Sequence, residues 1–308
     1  MATPTSDDPA TAPRRVALAL GSGGARGYAH IGVIDVLAER GFEIVALAGS
    51  SMGALVGGLH AAGALGPYVE WVRTLTQRDV VRYLDPTIAG AGAIRAERVF
   101  SRVFELVGEV QIETLPIAFT AVATDPLAGR EVWLQDGPLG DAMRASVAIP
   151  GFITPVSVGD RVLADGGILN PVPVSAVPAV PADLVVAVSL LGERGAGPQS
   201  PVRGAAARHI VDGWRDRLRP GLAHEAAAPG TSTQVGLLDV LTLSLDAMQA
   251  QLSRCQLAGN SPDVLITVPK DACRTGDFHR AEEMIALGRQ LALDALDRIP
   301  AGRNPAAP

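Results

Sequence analysis

Aromatic residues make up only 4% of this 308-residue chain, so its core has to come from Val, Leu, Ile and Ala. Cysteine is equally scarce. Cys255 and Cys273 stand far apart, with no CxxC pair and only His279 nearby, which argues against a disulfide framework or a zinc site and reads them as core or surface thiols. Lysine occurs once, at Lys270, and the 26 Lys and Arg are outnumbered by 32 Asp and Glu. The net charge of −6 is the wrong sign for general nucleic-acid binding, which releases phosphate counterions from a basic surface. Long apolar runs are missing as well. The best stretch, Val177 to Leu191, is broken by Pro178, Pro181 and Asp183, short of the ~18 apolar residues a spanning helix needs. Met1 to Pro13 carries Asp7 and Asp8 in place of the basic start and apolar run of an export signal. These absences point to a cytoplasmic protein.

What is present is an apolar, turn-rich chain. Hydrophobic residues reach 48% against 19% charged, with 34 Gly and 23 Pro, which predicts a globular fold with buried strands. Val16 to Leu20, Ile44 to Ala48 and Ile117 to Val122 read as strands. The first two each run through a glycine turn into residues of helical spacing: Ile31, Ile34, Val36 and Leu37, then Ala54, Leu55 and Leu59. Ala96 to Val107 predicts a further helix. Glu131 to Leu134 and Arg161 to Leu163 predict short strands, Leu184 to Leu191 and Val264 to Val268 longer ones, and Ala281 to Leu296 a closing helix. The alternation predicts an α/β fold, a mostly parallel central sheet flanked by helices, in a single domain over 14–300. Disordered tails are expected at 1–13 and 301–308. Residues 192–236, rich in Ala, Gly, Pro and Arg, read as an insertion or lid.

Three glycine-rich sites follow strands. Gly21-Ser22-Gly23-Gly24-Ala25-Arg26-Gly27 lies between a strand and a helix, where free N–H groups suit an anion. It departs from the dinucleotide GxGxxG by placing Arg26 at the last glycine, so a phosphate cradle, an oxyanion site and a plain tight turn all stay open. Gly49-Ser50-Ser51-Met52-Gly53 matches GxSxG in the strand-to-helix context that the motif requires, with Ser51 as candidate nucleophile. Asp165-Gly166-Gly167 ends a third strand, and its carboxylate is either a turn former or the base for Ser51, with Asp125, Asp136 and Asp160 as rivals. Of the histidines, His30 and His60 read as packing or surface residues and His209 and His224 fall in the insertion. His279 alone follows the Ser, Asp, His order of the α/β-hydrolases without lying there.

Gly21 to Gly27 running into Tyr28-Ala29-His30-Ile31-Gly32-Val33, the Ser51 elbow, Asp165-Gly166-Gly167 and the block Ala145 to Phe152 together resemble the bacterial patatin-like phospholipases. The resemblance implies a three-layer α/β architecture related to the α/β-hydrolases. It implies a Ser51–Asp165 dyad without histidine, an oxyanion hole from the amides of Gly23 and Gly24, and support from Gly21, Arg26, Gly27, Gly49, Gly53, Gly166 and Gly167. Arg26 either anchors the loop or attracts an anionic head group. The implied substrate is a phospholipid or other lipid acyl ester, with no cofactor, no metal and no nucleic acid. The alternatives are a catalytically weak lipid-binding or regulatory protein and, behind it, a nucleotide-binding protein using the Gly21–Gly27 loop. Arg208 to Leu222 has one apolar face with Trp214 and one charged face. That pattern reads either as peripheral contact at the inner face of the membrane or as ordinary packing.

Overall fold

The computed structural model describes residues 13–83, 97–150, 153–193, 195 and 237–299. The Arg208–Leu222 helix, most of the 192–236 insertion and nearly all of both expected tails lie outside the described residues.

The chain runs β1 (Arg14–Leu20), α1 (Ala29–Glu39), β2 (Phe42–Ser50), α2 (Met52–Ala61), α3 (Leu65–Arg73), α4 (Gln77–Tyr83) and α5 (Glu97–Val107). It continues through β3 (Ala118–Asp125), β4 (Arg130–Leu134), α6 (Leu139–Ser146), β5 (Val156–Val158), β6 (Arg161–Asp165), β7 (Leu184–Gly192), α7 (Leu237–Gly259), β8 (Val264–Pro269) and α8 (Ala281–Leu296). The strands form one sheet in the order β5-β6-β3-β2-β1-β7-β8, with β4 also paired to β3. β3, β2, β1, β7 and β8 are mutually parallel, while β4, β6 and β5 join antiparallel at one margin. The fold is therefore α/β with a mostly parallel sheet flanked by helices.

The parallel strands read as unbroken apolar runs because both faces are covered. Side-chain size nevertheless alternates. Val16, Leu18 and Leu20 of β1 enter the main core with α1, α2, α5, α6 and α8. Ala19, with Ala187 of β7, faces Val172 on the other side, where Val174, Val177 and Leu257 of α7 pack. Bulk on one face and alanine on the other set the thickness of the two layers.

Strand order fixes where a ligand can sit. From β1 the chain moves to β2 and β3 on one side, then returns to lay β7 and β8 on the other. The carboxyl end of β1 is thus a topological switch point, the crevice in which open α/β sheets bind ligands. Gly21 to Gly27 occupies it.

Four helices and one strand are absent from the sequence reading. α6 is the one that matters for the site. Leu139, Ala142, Met143 and Ser146 have helical spacing, but Gly137-Pro138 and Gly140 at its start mimic a turn. α3 and α4 are short, α7 is long but only weakly sided, and β5 is a three-residue partner of β6 that exists only through pairing.

Helices α1 and α8 cross where neither carries a side chain: a Cβ on Gly288 would run into the Ala29 carbonyl, and one on Gly32 into that of Ile285. Gly288→Ala sets two effects against each other, a helix-propensity gain of about 1 kcal/mol and an overpacking cost of about 1–3 kcal/mol. Because the clash is with backbone, the cost is expected to win. Urea denaturation should show a net loss of stability, and a gain would mean that the helices separate freely.

Candidate active site

β2 ends at Ser50, and the chain turns into α2 through Ser51, whose φ of 56° is the only positive value among the described non-glycine residues. Such a conformation costs about 1–3 kcal/mol and persists only where neighbours over-determine it. Here they do. The Ser51 carbonyl accepts from the amides of Ala54 and Leu55 at 2.9 and 3.1 Å. Its amide donates to Ser146 Oγ at 2.9 Å, and Ser50 Oγ donates to the Asn170 carbonyl at 2.6 Å. Gly53 lets α2 begin against β1, since a Cβ there would overlap the Leu20 carbonyl. The elbow places Ser51 at the positive end of α2.

Asp165 closes β6, and its backbone is held on both sides. Its amide donates to the Ala148 carbonyl at 2.8 Å, and its carbonyl accepts from Thr124 Oγ1 at 2.9 Å. Oδ1 accepts from the Gly167 amide at 2.7 Å and Oδ2 from Ser51 Oγ at 2.5 Å. Asp165 is 3% exposed. Burial pushes its pKa up to about 6, and the two donated hydrogen bonds offset only part of that rise. The rival carboxylates lie elsewhere: Asp125 caps the β3–β4 turn through the Leu127 and Ala128 amides, and Asp136 and Asp160 are exposed. Among the described histidines, none hydrogen-bonds Ser51 or Asp165. His279 is half-buried in the turn before α8, and His60 is half-buried on α2.

The glycine loop alternates committed and uncommitted amides. Those of Gly21, Ser22 and Ala25 donate to the carbonyls of Val188, Pro171 and Thr275, each at 2.9 Å. Those of Gly23 and Gly24 have no acceptor among the described residues. Gly24 has φ +58° and lies against Thr275, a position that only glycine fills without strain. His30 is fully buried, and burial lowers its pKa to about 4. It is therefore a neutral imidazole, and its Nε2–H donates to the Gly21 carbonyl at 2.8 Å. Arg26 is 4% exposed and donates to two carbonyls, Gly23 through Nε and Lys270 through Nη1, both at 3.2 Å. Of its two readings, loop anchor and head-group attractor, the geometry is that of the anchor.

Ser146 and His30 fall in the blocks that carry the family resemblance but were given no part in the site, and Asn170 and the Thr275 turn were not singled out from the sequence. The spacing of α6 could have pointed to Ser146; nothing local marks Asn170 or the Thr275 turn.

A parallel sheet carrying a strained GxSxG serine beside a buried Asp-Gly-Gly carboxylate and a glycine loop defines an α/β protein of the patatin type. The sequence pattern described as Patatin-like phospholipase matches residues 18–178, which hold all three features, and the chain belongs to that family. An NTE family protein of Mycobacterium bovis is 47% identical over 330 residues, covering 92% of this chain and 91% of that protein. Lysophospholipase NTE1 of Coccidioides immitis is 27% identical over 299 residues, covering 93% of this chain and 18% of that much longer protein. Among solved structures, VipD from Legionella pneumophila aligns with 92% of this chain and 67% of that one, at 14% identity and a TM-score of 0.41.

The buried carboxyl links the site to stability. A free Asp has a pKa of ~3.9, and the folded value is raised to about 6. The penalty is therefore absent below the unfolded value and grows as pH rises, until it is complete above the folded one. Asp165→Asn should be more stable than the parent at pH 8, by about 2–3 kcal/mol, with the difference vanishing near pH 4. Equal melting temperatures at pH 8 would show that the carboxylate is better solvated than its burial implies.

Proposed function

We propose that the protein is a serine-dependent lipid acyl hydrolase that cleaves carboxylic esters through an acyl-Ser51 intermediate. The observation that carries this is the 2.5 Å hydrogen bond from Ser51 Oγ to Asp165 Oδ2 at a strained elbow. Asp165 takes the Ser51 proton as Oγ attacks the ester carbonyl carbon. The amides of Gly23 and Gly24 receive the negative oxygen of the tetrahedral intermediate. On collapse the alcohol leaves with the proton from Asp165, which then deprotonates the water that attacks the acyl carbon and returns that proton to Ser51 Oγ as the fatty acid is released.

A carboxylate of ordinary pKa is a poor base for an alcohol near neutrality, and burial raises Asp165 towards the working range. The rest of the rate has to come from preformed donors facing the developing oxyanion. Arg26 and His30 act on those donors from behind, holding the loop by its carbonyls. Family membership makes a phospholipid or lysophospholipid the substrate of choice, and the name of the Coccidioides relative supports the latter. None of the described helices is long and apolar enough to cross a membrane.

A fluorophosphonate probe should label Ser51, and Ser51→Ala should lose ester hydrolysis by about 10³-fold or more. Asp165→Asn should lose about 10²-fold or more, whereas His279→Ala keeps most activity. Labelling at another residue would sink the nucleophile assignment, and a dead His279 variant would replace the dyad with a triad. Fatty acid release from phospholipid and lysophospholipid vesicles tests the substrate class. A folded protein that binds those vesicles without turnover belongs to the lipid-binding alternative.

The base must be ionised to act. kcat/KM is therefore expected to rise with pH through about 6, the raised value of Asp165, and to level off above it. A profile that levels only above pH 7.5 would point to a different base.

A further inference from the structure

The parallel ladder between β2 and β3 ends at the Ser50–Val122 pair. One residue later the left-handed turn at Ser51 takes the chain out of the sheet, leaving a buried amide on Ser51 and a buried carbonyl on Val122. Ser146, the last residue of α6 and fully buried, fits between them. Its Oγ accepts from the Ser51 amide at 2.9 Å and donates to the Val122 carbonyl at 2.5 Å. Of the small side chains, only a hydroxyl both donates and accepts well enough to close this gap.

Two residues further on, the Ala148 carbonyl takes the Asp165 amide at 2.8 Å. The stretch from Ser146 to Ala148 therefore holds the amides of both residues that share the Ser51 proton. β2 and β6 do not pair with each other: they follow one another along β3, with Ser50 opposite Val122 and Asp165 opposite Ala123. Where the two strands meet, the end of α6 bonds the Ser51 amide and the Asp165 amide. α6 is itself wedged on the elbow helix: Met143 and Leu139 lie where a Cβ of Gly58 would be.

We propose that Ser146 is a positioning residue, a hydroxyl that holds the Ser51 elbow at the distance from Asp165 that proton transfer needs. This rests on the reading of Ser51 as nucleophile. Ser146 touches neither substrate nor the reacting oxygen. It acts through the Ser51 amide, so its loss lowers turnover and leaves substrate binding alone.

The test compares Ser146→Ala with the equal-shaped pair Ser146→Thr and Ser146→Val. In Ser146→Ala, kcat and the rate of fluorophosphonate labelling at Ser51 should fall together by about 10- to 100-fold, while KM stays within about twofold. Exchange of the Ser51 amide proton, followed by NMR, should quicken. Thr, which keeps the hydroxyl, should label faster than Val. A lower melting temperature with an unchanged labelling rate in the folded protein would make Ser146 merely structural and overturn the proposal, as would equal rates for Thr and Val. If the parent protein itself fails to label at Ser51, the nucleophile reading is what fails. Amide exchange then decides alone: quicker exchange in Ser146→Ala upholds the hydroxyl's hold on the elbow, and unchanged exchange overturns it.

Discussion

Everything in the site depends on one backbone angle, the φ of 56° at Ser51. A serine in ordinary helical or extended geometry would either run on along β2 or lie flat on α2. Held in the left-handed region, it faces Asp165 across a single hydrogen bond. The strain is local, but the restraints are not. Ser51 is bound to α2 through its carbonyl and to α6 through its amide, while the adjoining Ser50 hydroxyl binds the Asn170 carbonyl. Three separate parts of the chain converge on two consecutive residues, so the elbow can be strained without being mobile.

The second constraint is electrostatic. Asp165 is buried with no charged side chain acting on its ionisation, and only the Ser51 hydroxyl and the Gly167 amide support its charge. In a histidine-based triad the charge on the buried carboxylate is balanced, once the proton has moved, by an imidazolium. Here the proton received would neutralise the carboxylate itself. That trade suits a carboxyl whose burial already favours the neutral form. Under the proposed mechanism it would leave the Gly23 and Gly24 amides as the fixed stabilisers, because no new cation would appear beside the intermediate.

The amides of Gly23 and Gly24 are arranged by restraints on the carbonyls of the loop. His30 and Arg26 hold the Gly21 and Gly23 carbonyls, and Thr275 takes the Ala25 amide. The peptide planes of Gly23 and Gly24 are left with their N–H groups uncommitted. Both side chains are buried and directed at backbone, so the loop's charge and its histidine serve geometry. The switch-point position of β1 places this loop beside the elbow, and the absent side chain at Gly53 allows the two to touch.

Contiguous signals carried much of this in the sequence. The five parallel strands, the GxSxG serine between strand and helix, the glycine loop and the Asp-Gly-Gly carboxylate are each written in fewer than ten neighbouring residues. Strand runs and turn glycines act through local sterics, which is why they could be read. Other features were settled only by the folded chain: that β7 returns beside β1, that Arg26 reaches a carbonyl at Lys270, that His30 is a neutral donor, and that α6 exists and ends in the hydroxyl that meets Ser51. The β7, Arg26 and Ser146 contacts join segments far apart in the chain, and the protonation of His30 follows from its burial. The raised pKa of Asp165 comes from burial by residues its neighbours in sequence do not specify. A one-dimensional pattern records which backbone shapes are allowed, whereas hydrogen bonds, desolvation and packing depend on which distant groups come to share a few ångströms.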